Sequence, residues 1–106
     1  MSMLKIWRWG VAATLGLAAA AQAQDAPTLW ISSLAATCAT CHGTGGHAVE
    51  ESSVPGLAGL SAAYTVEQMK AFKRGARPAT VMHQIAKGYS DVQIEQIAAY
   101  FAAQKK

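Results

Sequence analysis

Two cysteines and a histidine stand together as Cys38-Ala39-Thr40-Cys41-His42, and the chain has no other cysteine. On a single helical turn, sulfurs three residues apart lie on the same side of the backbone. They can then reach two vinyl groups along one edge of a porphyrin, and C-x-x-C-H is the attachment signature for c-type haem. His42 follows at once, so the same tether fixes its imidazole over the iron as proximal ligand. Three other chemistries use such a pair. A thioredoxin-type dithiol calls for a surrounding βαβ pattern, which this sequence lacks. Zinc would need a second cysteine pair to complete its shell. A structural disulfide between close neighbours is the third, and export would permit it.

An electron-transfer haem of the low-spin kind needs a second axial ligand. Beyond the N-terminal stretch the methionines are Met69 and Met82, and the remaining histidines are His47 and His83. Met69 falls on the core face of a helix. His47 is too near His42 in sequence to reach the far side of the ring comfortably. Met82 comes after a proline-containing loop and ahead of the last helix, which gives the chain length enough to round the haem edge and present sulfur from the opposite face. Met82 is therefore favoured, with the adjacent His83 as its rival. A thioether favours the ferrous state and raises the reduction potential relative to a second imidazole. Ligating histidines usually donate their other N–H to a fixed acceptor. The carbonyl of Pro55, in the turn Pro55-Gly56-Leu57, is the candidate, a plain rigid turn being the alternative.

Helices must position these groups. An apolar stretch from Thr28 to about Ala36 offers Leu29, Trp30, Ile31 and Leu34 to one buried face. Residues 43–63 are broken by Gly43, Gly45, Gly46, Pro55, Gly56 and Gly59 into turns, and so long an irregular stretch usually wraps something. A second helix is expected from Val66 to Arg74, with Thr65 as N-cap, Gln68 as its reciprocal partner and Gly75 as the stop. Ala79 to Lys87 is expected to form a short helical turn closed by Gly88. In the last helix Ser90 caps with Gln93, and Ile94, Ile97, Ala98 and Phe101 follow at helical spacing. No segment alternates long enough for a strand. The fold class is all-α, with three to four helices and loops.

The 106 residues allow one domain. Residues 1–23 read as an export signal: Lys5 and Arg8 supply the positive start, Gly10 to Ala21 is apolar, and Ala21-Gln22-Ala23 fits the small-x-small cleavage pattern. The apolar run is shorter than the roughly 20 residues a bilayer span needs, so no membrane span is expected after cleavage. Residues 24–106 would then form the folded domain, in the periplasm. They carry seven basic and six acidic side chains against a whole-chain net charge of +3. That balance gives no reason to expect nucleic acid as a partner. A chain this small commonly recruits a disulfide, metal or cofactor to complete its core.

Lys70, Lys73, Arg74 and Arg77 form a basic cluster on and after the second helix, with Glu67 in reach of Lys70. A solvated helix face is the simplest account. An arginine pairing with a haem propionate, or a patch that steers an acidic partner, is the functional one. Tyr64, Tyr89 and Tyr100 are candidates to pack on a haem.

The segments Cys38–Gly43, Pro55-Gly56-Leu57-Ala58-Gly59, Phe72–Pro78 and Met82, with Ser90-Asp91 and Tyr100-Phe101, together resemble class I bacterial cytochromes c. That resemblance implies haem anchored by Cys38, Cys41 and His42, Met82 as distal ligand, and the Pro55 carbonyl holding His42. It also implies that the first and last helices cross, with the Leu29–Leu34 face against Ile94, Ile97 and Phe101. A narrower likeness, through Ala79–Met82 and Ile85–Ser90, is to the cytochrome subunit of flavocytochrome c sulfide dehydrogenase. It implies a single-haem version that takes electrons from a flavoprotein subunit. Such a chain has no catalytic residues of its own. The other readings are a free-standing electron carrier of a respiratory or photosynthetic chain, and a haem gas sensor or peroxidase-like enzyme with an open distal site. A coordinated Met82 argues against the last.

Overall fold

A computed structural model describes residues 25–106, and the export-signal reading of residues 1–23 lies outside the described residues. Among the described residues there are five helices, α1 (Ala26–Ala36), α2 (Ala39–His42), α3 (Ala62–Lys73), α4 (Met82–Lys87) and α5 (Asp91–Ala102), with a 3-10 turn over Thr44–Gly46. No strand occurs among the described residues.

Helix α1 carries Pro27 in its first turn, where the missing N–H costs nothing. Its N-terminal half is not the buried face expected: Leu29 and Trp30 are 48% and 55% exposed. The contact with α5 is made one turn later. There Ala35 packs with Ile97 and Phe101, and Leu34, Cys38, Leu57, Tyr89 and Tyr100 close around them. The seam therefore begins just ahead of the cysteine motif.

Helix α3 begins earlier than its sequence signals indicate. Ser61, not Thr65, is the N-cap, and its hydroxyl accepts from Tyr64 N. Thr65 and Gln68 are consequently interior positions, and Thr65 is buried. The cap of α5 follows its sequence signal: Ser90 Oγ accepts from Gln93 N, and Ser90 N donates to Gln93 Oε1 at 2.9 Å.

Helix α5 serves two apolar clusters. Ile97 and Phe101 belong with Ala35, whereas Ile94 packs with Met69 of α3 and Ala86 of α4. Val66, Phe72, Met82 and Tyr89 flank the second cluster, so Tyr89 touches both. Lys70 pairs with Glu95 at 3.6 Å and Asp91 at 3.9 Å, not with Glu67. Lys73 donates to the Tyr89 carbonyl at 2.6 Å and to Asp91 at 3.2 Å. Both lysines therefore brace α3 against α5 and the turn before it.

Candidate functional site

Between the two clusters lies a cavity of about 490 Å³, within the range of small-molecule and cofactor sites. Every residue singled out for cofactor binding lines it: Cys38, Cys41, His42, Pro55 and Met82. His47 and His83 do not. His47 is instead held by backbone, its Nε2 lying 2.7 Å from the Lys105 carbonyl. His83 Nδ1 is buried without a hydrogen-bond partner among the described residues.

The motif is built from the backbone up. His42 N donates to Cys38 O at 3.0 Å, which winds the segment into one α-turn and puts the two cysteines on a common wall. Gly43 then breaks the helix at φ 85°. A Cβ there would lie 1.9 Å from the His47 carbonyl oxygen, so the chain can fold back at this point only with glycine. Cys38 is half-buried and Cys41 exposed. Burial pushes the Cys38 thiol up, with its side-chain hydrogen-bond contact to Thr37 acting the other way.

His42 is buried, and its Nδ1 lies 2.7 Å from the Pro55 carbonyl. A carbonyl only accepts, so Nδ1 carries the proton and Nε2 keeps its lone pair free. Pro55 is held in turn by its neighbours, since Leu57 N and Ala58 N both donate to Gly46 O, at 2.8 and 3.1 Å. On the other side of the motif the Thr37 hydroxyl donates to Leu34 O at 2.8 Å. Its one proton is thus used, and the Tyr89 hydroxyl is the donor in the 2.6 Å Thr37–Tyr89 bond.

The walls are mostly apolar, with Leu57, Leu60, Met69, Phe72, Ile97 and Phe101 among them. Arg77 is the one Lys, Arg, Asp or Glu in the lining. Its guanidinium donates to Gln68 Oε1 and sits over the Phe72 ring, 4.7 Å from the centroid. Sequence reasoning placed Arg77 in a general basic cluster and missed this fixed geometry. Thr65 was missed as well. The i, i+4, i+7 series Thr65, Met69, Phe72 was the available signal, had the helix been started at Ser61.

The comparisons with known proteins bear on this geometry directly. Residues 32–105 match the family model described as cytochrome c. The chain belongs to the cytochrome c family. It is 37% identical over 98 residues to the thiosulfate dehydrogenase electron acceptor of Stutzerimonas stutzeri, covering 89% of this chain and 45% of that protein. Over 68 residues it is 43% identical to the cytochrome subunit of sulfide dehydrogenase of Chlorobaculum tepidum, covering 64% and 60%. Cytochrome c-554(548) of Halomonas halodenitrificans matches at 40% over 72 residues, covering 65% and 86%. The chain spans about half the length of several relatives it matches.

Membership implies covalently bound haem c, and Cys38 and Cys41 fit its attachment motif. The cavity of this cytochrome also fits the group. It offers two thiols on one wall, an imidazole with a free nitrogen, an apolar interior and a single cation for a carboxylate. Among the described residues no helix is long and apolar enough to cross a membrane.

Proposed function

We propose that this chain moves single electrons in the periplasm, with Cys38 and Cys41 as thioether anchors, His42 as proximal ligand and Met82 as distal ligand. The bound haem supplies the one-electron chemistry. The observation that carries the reading is the His42–Pro55 bond of 2.7 Å, which fixes the tautomer that leaves Nε2 for a metal. Met82 is supported over His83 because it lines the same cavity as His42 and His83 does not. Arg77, oriented by Gln68 and Phe72, is the residue to hold a propionate carboxylate. No residue of the chain is asked to act as acid, base or nucleophile.

The partner reading is a dehydrogenase acting on reduced sulfur compounds, with the flavoprotein subunit of a sulfide dehydrogenase as first choice. The likeness to the Chlorobaculum cytochrome subunit supports it. A second reading, as a free-standing carrier, draws support from the Stutzerimonas likeness, a protein named as an electron acceptor. Residues 1–23 act in either case as an export signal removed after Ala23.

A pyridine haemochrome spectrum and mass spectrum of the protein expressed with its N-terminus test the reading. One covalent haem and loss of residues 1–23 are expected. Absence of haem, with Cys38 and Cys41 free or joined, would overturn it. Stopped-flow reduction by a sulfide-reduced flavoprotein subunit, compared with a thiosulfate-reduced dehydrogenase, separates the two partner readings. Rapid carbon monoxide binding by the ferrous protein would point instead to an open distal site and a gas-binding role.

A further inference from the structure

Thr65 is only 6% exposed, and its hydroxyl has no hydrogen-bond partner among the described residues. Hydroxyls inside helices ordinarily find the carbonyl one turn back. Ser32 and Ser33 on α1 do so, donating to Thr28 O at 2.6 Å and Leu29 O at 2.8 Å. Thr65 Oγ1 makes no such bond, although Thr65 N takes Ser61 O normally at 3.1 Å. A buried hydroxyl left unpaired costs about 1–3 kcal/mol, which selects against leaving it so without a use.

Its surroundings narrow what that use is. Thr65 lines the cavity, one helical turn before Met69, whose cluster Met82 flanks. Helix α3 packs on α4, the helix that Met82 begins. Gln68, the next polar residue of α3 in the cavity lining, is already committed to Arg77. Tyr89 and Thr37, across the cavity, are committed to each other. The thioether of Met82, which lines the same cavity, is an acceptor not taken up in these bonds.

We propose that Thr65 is a positioning residue for the distal ligand: its hydroxyl donates to the Met82 sulfur when that sulfur is on the iron. This rests on the assignment of Met82 as distal ligand. A donor on the thioether draws electron density from the sulfur and favours the ferrous state. The bond also fixes the sulfur in one orientation. Thr65→Val keeps the shape and removes the donor; Thr65→Ser keeps the donor.

The test is made on the intact haem-loaded protein by redox titration and by the iron–sulfur absorption band of the oxidised form. Thr65→Val is expected to favour the oxidised form by roughly threefold at a fixed potential, a fall of about 30 mV for one electron. The band should shift with it, and Thr65→Ser should restore both. In a saturating imidazole complex, where the sulfur is displaced, Thr65→Val should leave the potential unchanged. A potential that Thr65→Val does not move, or moves equally with imidazole bound, assigns the hydroxyl to another acceptor and overturns the proposal. Lack of the iron–sulfur band in the unmutated protein would overturn the Met82 assignment itself, and the proposal with it.

Discussion

Replacing Gly46 with alanine should destabilise the folded cytochrome by about 2–5 kcal/mol, the sum of a backbone and a packing cost. Gly46 is buried with φ 82°, in the left-handed region where a Cβ costs about 1–2 kcal/mol. That Cβ would also stand 2.8 Å from Ala58 N and 2.8 Å from Phe101 Cδ1. Neither neighbour can yield. Ala58 N is bonded to the Gly46 carbonyl, and Phe101 is 1% exposed in the main cluster. Overpacking of this kind typically costs about 1–3 kcal/mol. The same shift would loosen the pair of bonds from Leu57 N and Ala58 N that hold the Pro55 turn under His42. Guanidinium unfolding of the haem-loaded protein measures the loss, read as a lower midpoint at unchanged slope. A loss under about 1 kcal/mol would refute the reasoning, since it would mean that strain and clash both relax at this point.

Four further outcomes are expected. Tyr89→Phe removes the hydroxyl bonded to Thr37 and should cost about 1 kcal/mol in thermal unfolding, with the haem spectrum intact. Ser90→Ala removes the hydroxyl that accepts from Gln93 N, keeps the backbone N–H that donates to Gln93 Oε1, and should cost about 0.5–2 kcal/mol; a value near zero would show that the cap is dispensable. A double-mutant cycle on Lys70 and Glu95 should return under about 1 kcal/mol, because the pair is at the surface, and Lys73→Met should cost more than Lys70→Met because Lys73 also holds the Tyr89 carbonyl.

Much of the fold was legible because its signals are local. The Ser90–Gln93 box and the apolar series after it sit on consecutive turns and fix α5 without help from the rest of the chain. The start of α3 misled for an equally local reason. Thr65 and Gln68 have capping spacing, but Ser61 has it relative to Tyr64 N, and the earlier start puts Thr65 and Gln68 on the helix with Met69 and Phe72, all four lining the cavity. The exposure of Leu29 and Trp30 was not readable, because how much of α1 is covered depends on where α5 crosses it. The same holds for Lys70. Glu67 is near in sequence, yet Asp91 and Glu95 lie across a helix–helix contact that no spacing rule supplies. For the site, the motif states its chemistry outright, whereas the Arg77–Gln68–Phe72 arrangement depends on how the chain turns after α3.

The pairing of Ala35 with Ile97 and Phe101 joins the two ends of the described chain, and it sets an order of events during synthesis. A chain made from its N-terminus delivers α1 and the cysteine motif well before α5 exists. Until residues 97–101 emerge, Ala35 and Leu34 have no cluster to enter, and the Tyr89 hydroxyl has not yet reached Thr37. Over that interval the cysteine motif lacks the contacts that later close around Cys38. Closure of the last helix against Ala35 and Cys38 ends that interval, so the sequence distance between α1 and α5 sets how long the motif stays open during synthesis.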